Sequence, residues 1–173
     1  PVFARLDEIA ACAGGDPNWR APDELVDRLL GDDPAAIVES LTAVLDAGAP
    51  MASVSRAVSY AAAMRVARFH TSNEFGDWIT VLHAFTAANA THQLMRRAPS
   101  PELLRGVYHA AMALYLTRFL NMPAARLPEA RQPVLDALPT DPDELLHALD
   151  DALAHRFQGA LVMIAVGERI LKT

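Results

Sequence analysis

Apolar residues return along this chain at steps of three and four, the period of a helix that buries one face. Ile37, Leu41, Val44 and Leu45 form such a set, and Val and Ile otherwise occur singly within helical patterns, without the alternation that marks a strand. Starts are written where proline follows a capping residue or acids fill a first turn. They are Ala21-Pro22-Asp23-Glu24, Asp33-Pro34, Ser100-Pro101-Glu102 and Asp141-Pro142-Asp143-Glu144. Stops are written at Gly31, Gly48 and Asn121-Met122-Pro123, through left-handed geometry or a proline that forbids continuation. Together these signals predict helices near 2–13, 22–30, 34–47, 51–70, 77–97, 101–120, 142–157 and 160–171, with a Pro-rich connector from Pro123 to Pro139. The expected fold class is all-α, a single bundle-like domain of seven or eight helices over residues 1–173.

One predicted helix stands apart. From Trp78 to Met95 there is no Asp, Glu, Lys or Arg. Trp78, Leu82, Phe85, Asn89 and His92 share one stripe, and Ile79, His83, Ala90 and Leu94 share the opposite one. A helix apolar all round belongs in an interior or a membrane. The polar groups Thr80, His83, Thr86, Asn89, Thr91, His92 and Gln93 argue against hydrocarbon, so the helix near 77–97 is expected to be buried and central. The next helix is also charge-free from Gly106 to Thr117 and carries Tyr108, His109 and Tyr115.

Composition narrows the chemistry. Fifteen Lys+Arg against 21 Asp+Glu give a formal charge of −6, which disfavours a nucleic-acid partner. With 52% hydrophobic residues but only 6% aromatic, the chain suits close-packed helices, and the apolar excess points to self-association. The lone Cys12 rules out an internal disulfide and any iron–sulfur cluster or zinc site in this chain that needs several thiolates. The start Pro1-Val2-Phe3, with Arg5, Asp7 and Glu8 following, has no secretory pattern, so a cytoplasmic protein is expected, either whole or as a portion of a longer one.

Candidate chemistry gathers before the charge-free helix. In Arg65-Val66-Ala67-Arg68-Phe69-His70-Thr71-Ser72-Asn73-Glu74-Phe75-Gly76-Asp77, helical geometry would align His70, Glu74 and Asp77, with Arg65 and Arg68 on the turns before them. The Ser72-Asn73 and Gly76 signals favour a turn instead, and either geometry brings a His, two carboxylates and two guanidinium groups together. Imidazole and carboxylate suit iron, manganese or zinc, so His70, Glu74, His83, His92 and His109 are candidate metal ligands, with Arg65, Arg68, Asp77 and Asn89 in support. His83 and His92 lie about 180° apart on one helix and cannot share a first shell, so a site would draw His70, His109 or His155 from other helices. The competing reading pairs Arg65 and Arg68 with Glu74 and Asp77 in a structural ion-pair network. Glu144-Leu145-Leu146-His147 is the only Glu-x-x-His and sits in a first turn, and there is no phosphate loop or nucleophile elbow.

The run Arg68-Phe69-His70-Thr71-Ser72-Asn73-Glu74-Phe75-Gly76-Asp77-Trp78 continues in Val81-Leu82-His83-Ala84-Phe85-Thr86 and Ala88-Asn89-Ala90. With Arg97-Ala98-Pro99-Ser100-Pro101-Glu102-Leu103-Leu104-Arg105-Gly106-Val107 and Arg118-Phe119-Leu120-Asn121, it resembles a little-characterised bacterial helical domain. The resemblance covers the stretch from Gly31 to Pro128. That family is often fused to a Rieske-type [2Fe–2S] domain, which implies a redox setting. No Cys-x-His and Cys-x-x-His pair is present here, so the Rieske domain would be a partner outside this chain. A looser likeness, to questin oxidase-like proteins, implies a multi-histidine non-haem iron centre.

Two expectations follow. One is a redox-associated helical domain with a buried His/carboxylate pocket, a non-haem iron or other metal-dependent oxidoreductase or its substrate-binding part. The other is a non-catalytic structural or dimerisation module.

Overall fold

The computed structural model describes residues 2–14, 18–70, 72–122, 124 and 138–154. The predicted helix over 160–171, His155 and most of the Pro123–Pro139 connector lie outside the described residues. The chain divides into two compact units, Pro1–Ala124 and Ala125–Thr173. Every regular element among the described residues is helical, so the fold is all-α as the periodicity predicts.

In the first unit a 3₁₀ turn, Val2–Ala4, precedes α1 (Leu6–Cys12), α2 (Asp23–Leu29), α3 (Pro34–Asp46), α4 (Met51–Ala67), α5 (Phe75–Arg97) and α6 (Pro101–Thr117). A second 3₁₀ turn, Arg118–Leu120, extends α6. In the second unit, α7 (Pro142–Ala154) starts on Asp141, whose Oδ1 accepts from the Asp143 and Glu144 amides at 3.0 and 3.1 Å. Its Glu144 and His147 are exposed. No helix among the described residues is long and apolar enough to cross a membrane.

Three of the four written starts act as caps, the exception being α2, whose N-cap Pro22 makes no side-chain bond. Asp33 Oδ1 accepts from Ala35 and Ala36 at 2.8 and 3.2 Å, and Ser100 Oγ accepts from Leu103 at 3.2 Å, satisfying amides that have no partner within the helix. Gly48 takes a φ of 93°, and the amides of Gly48 and Ala49 fold back on the Leu45 and Val44 carbonyls to close α3. Gly31 ends α2 without a left-handed φ; a Cβ there would lie 3.0 Å from the Arg28 carbonyl oxygen.

Burial corrects one expectation. α5 packs along both α4 and α6, so it is central to the bundle, but only Val81, Ala84, Ala88, His92 and Met95 on it are buried. Its opposite side, with Ile79, Leu82 and Leu94, faces outward. The helix enclosed on most sides is α4, where Val54, Ser55, Ala57, Val58, Ser59, Ala61, Ala62, Met64 and Arg65 are all buried. Small residues decide this. Ala57, Ala61, Ser55 and Ser59 let neighbouring helices close on α4 from several directions, while absence of charge on α5 does not itself attract a cover.

Candidate functional site

The segment richest in candidate residues is the junction between α4 and α5. α4 stops at Ala67, short of the predicted residue 70, and α5 begins at Phe75 with Gly76 inside its first turn. Residues 68–70 and 72–74 are therefore outside the helices, and His70, Glu74 and Asp77 do not share a helical stripe.

The junction is docked on the end of α6 by two asparagines. Asn121, only 4% exposed, donates from Nδ2 to the Arg68 carbonyl at 2.8 Å and accepts the His70 amide on Oδ1 at 3.0 Å. Asn73 Nδ2 donates to the Leu120 carbonyl at 2.8 Å. Phe69 is buried and meets the Trp78 ring edge to face at 5.0 Å. The His70 side chain is occupied locally. The Ser72 amide can only donate, so His70 Nδ1 is an acceptor at 3.1 Å, and the Ser72 hydroxyl at 2.6 Å donates to the same atom. The neutral ring then carries its proton on Nε2.

Beside this junction lies a group of arginines. Arg65, 8% exposed, donates from Nη2 to the Leu30 carbonyl at 3.2 Å, while its buried Nε has no hydrogen-bond partner. Arg118 reaches the same turn, donating from Nη2 to the Asp32 carbonyl at 3.3 Å and to Tyr115 Oη at 3.1 Å. Its Cζ lies 4.0 Å from the Phe119 ring centroid and 4.4 Å from that of Tyr115, and its Nε is 3.5 Å from Asp32 Oδ1. Burial, and then the charge of Arg68, push the Arg65 guanidinium below the usual arginine value; Asp32 acts in the opposite sense and Arg118 adds to the lowering. Among the described residues Asp32 is the carboxylate that acts on Arg65 and pairs with Arg118, and its side chain is 88% exposed.

The remaining candidates are dispersed. His83 is exposed on the outer side of α5, and Asn89, also exposed, accepts from Gln93 Nε2 at 3.5 Å. His92 lies on the inner side, 8% exposed, with Nδ1 3.0 Å from Ser55 Oγ on α4. His109 is exposed on α6, its ring centroid 5.1 Å from that of Phe3. Glu74 is exposed at the α5 N-cap position without a side-chain cap bond, and Asp77 is half-buried in the first turn.

The structure does not bring these described side chains together: the His70 ring is bonded to Ser72, His92 lies on the inner side of α5, and His83 and His109 are exposed on α5 and α6. Among the described residues no three His, Cys, Asp or Glu side chains group closely enough to hold an ion. Nor does any ion pair among them join Arg65 or Arg68 to Glu74 or Asp77; the pairs present are Arg5–Glu8, Arg5–Asp46, Arg105–Glu102 and Arg118–Asp32. The ion-pair network of the competing reading is therefore not formed among the described residues.

Arg118 and Asn121 were not among the residues singled out for chemistry. The available signal was the Arg118-Phe119-Leu120-Asn121 run itself, which interrupts a charge-free helix just where Asn121 and Leu120 receive the junction. No protein-family model, curated protein or solved structure matches the chain.

Proposed function

We propose that this chain is a non-catalytic helical docking module whose α4–α5 end binds an acidic segment of a partner protein. One observation carries the reading: Arg65 is buried with a bare Nε and no carboxylate bonded to it, beside Arg68 and Arg118. A buried cation without a paired anion costs several kcal/mol on the scale of roughly 3–5 for broken buried pairs, so an incoming carboxylate gains what the free chain lacks. Arg118 and Arg68, both partly accessible, are the points of contact, and Arg65 adds its field from a low-dielectric position. The same junction and turn expose Phe75, Phe119, Leu120 and Met122, apolar anchors of the kind protein interfaces use.

The resemblance read from the sequence would make the partner a Rieske-type [2Fe–2S] domain, and redox chemistry would then enter through that partner. The test is fluorescence anisotropy of a labelled Glu-rich peptide carrying Leu and Phe, titrated with the full chain. Binding that weakens about tenfold or more, the loss of one charge-assisted contact of about 1.4 kcal/mol, is expected for Arg118→Met, and a smaller weakening for Arg65→Met, which acts through its field alone. A Lys-rich peptide of the same length should not bind. Equal affinity of wild type and both variants would refute the reading.

A further inference from the structure

The outer side of α5 is independent of the arginine end. Ile79, His83, Thr86, Ala90 and Leu94 follow one another at steps of three or four along it, and all five are exposed, Ile79 at 37% and Leu94 at 51%. No charged residue lies on α5 between Asp77 and Arg96. The stripe is nearly symmetric about the bond between Thr86 and Ala87: the large apolar residues stand at its ends and the small ones, Thr86, Ala87 and Ala90, at its middle. The charges are antisymmetric, with Glu74 and Asp77 at the amino end and Arg96 and Arg97 at the carboxyl end.

We infer that two copies of this chain associate through α5, antiparallel, about a two-fold axis near Thr86 and Ala87. In that register Ile79 of one copy meets Leu94 of the other and His83 meets Ala90, while Thr86 and Ala87 at the axis permit close approach of the helices. Only the antiparallel arrangement sets each acidic end against a basic end and opposes the two helix dipoles. A parallel one would place Glu74 on Glu74 and Arg97 on Arg97. A two-fold contact of this kind is isologous and closes at a dimer. α5 has 23 residues and is therefore about 35 Å long, so the contact is at the small end of stable interfaces and should dissociate in the micromolar range.

The test is sedimentation velocity of the full chain up to roughly 10⁻⁴ M, beside cysteine cross-linking in a Cys12→Ser background, since Cys12 is exposed. A concentration-dependent dimer is expected, weakened about tenfold or more by Ala90→Arg. That exposed substitution should leave the helical circular dichroism intact. Under mild oxidation Thr86→Cys should link to itself, because its Cα atoms meet near the axis. Ile79→Cys alone should not, being about 22 Å from its copy, yet the Ile79→Cys/Leu94→Cys pair should link. A monomer throughout the range, a dimer indifferent to Ala90→Arg, or self-linking by Ile79→Cys would each overturn the inference. None of these outcomes bears on the acidic-segment reading, which the peptide titration tests separately.

Discussion

His92 and Ser55 offer the sharpest test of how the core is held. Ser55 Oγ is 2.9 Å from the Ala52 carbonyl and 3.0 Å from His92 Nδ1, yet a serine has one hydroxyl hydrogen. Both contacts are hydrogen bonds only if Ser55 donates to Ala52 and accepts from a protonated Nδ1, which fixes the neutral tautomer. Ser55→Ala removes that acceptor and leaves the buried N–H only the Ala52 carbonyl, so it should cost about 1 kcal/mol. In a chain this size each kcal/mol corresponds to about 2–4 °C in Tm. Ser55→Ala/His92→Leu removes both partners and should recover most of the loss, because an apolar pair of similar shape leaves nothing unpaired. Burial foremost, then Arg96 and Arg56, hold the His92 imidazole below its ordinary value, against the opposing pull of the Ala52 carbonyl. The unfolded chain therefore takes up this proton more readily than the folded one. The stability contributed by the neutral form is complete above about pH 6.5 and falls as the pH drops below it, by at most about 1.4 kcal/mol per pH unit. Urea unfolding at pH 8 and pH 5 for wild type, Ser55→Ala, His92→Leu and the double variant measures all of this. A Ser55→Ala chain within about 0.5 kcal/mol of wild type at pH 8, the scatter of an exposed substitution, would refute the argument. So would a His92→Leu chain whose stability changes with pH as steeply as wild type.

Three further outcomes follow from single contacts. Asn121→Ala strips the bonds to Arg68 and His70 and should lower stability by roughly 2–4 kcal/mol while speeding amide exchange at His70, measured by hydrogen exchange with mass spectrometry. Gly106→Val should cost about 1–3 kcal/mol in urea unfolding, because a Cβ there sits 3.2 Å from Thr91 Cγ2 and the Thr91 hydroxyl is tied to the Ala87 carbonyl at 2.9 Å. Tyr108→Phe should lose about 1 kcal/mol in the same assay: Thr42 spends its hydrogen on the Val38 carbonyl, so the buried Tyr108 hydroxyl donates to Thr42 Oγ1 at 2.9 Å, and that bond disappears.

Local grammar was legible in the sequence. The starts at Asp33, Ser100 and Asp141 cap their helices as their residue types require, and Gly48 ends α3 through its left-handed φ. Which helix the others enclose was not legible. α4 carries Arg56, Arg65 and several serines, which gave no sign of enclosure, yet nine of its residues are buried. Enclosure depends on how closely three or four neighbours approach, which small residues such as Ala57 and Ala61 permit but no periodicity records. α5 shows the converse. Its lack of charge made it read as interior, and Ile79, Leu82 and Leu94 face outward because α4 and α6 occupy only the Val81–Met95 side.

The site was half legible for a related reason. For chemistry, the sequence drew attention to the segment from Arg65 to Asp77, but not to Arg118 or Asn121, which the fold sets beside it. Spacing along a helix suggested His70, Glu74 and Asp77 as neighbours, whereas the real partner of Arg68 and His70 is Asn121, whose two amide bonds span 51 and 53 positions. Arg65 follows the same logic. A guanidinium at the end of α2 is unsurprising, since helix carbonyls attract cations, and the Leu30 bond is of that kind. End-capping alone does not explain it, because one carbonyl leaves Nε bare in a position that Arg68 and Arg118 make less hospitable to positive charge. A methionine there would fill similar volume without that penalty. The bare Nε is therefore not part of what holds the bundle together, and it is the feature on which the proposed docking of an acidic segment rests.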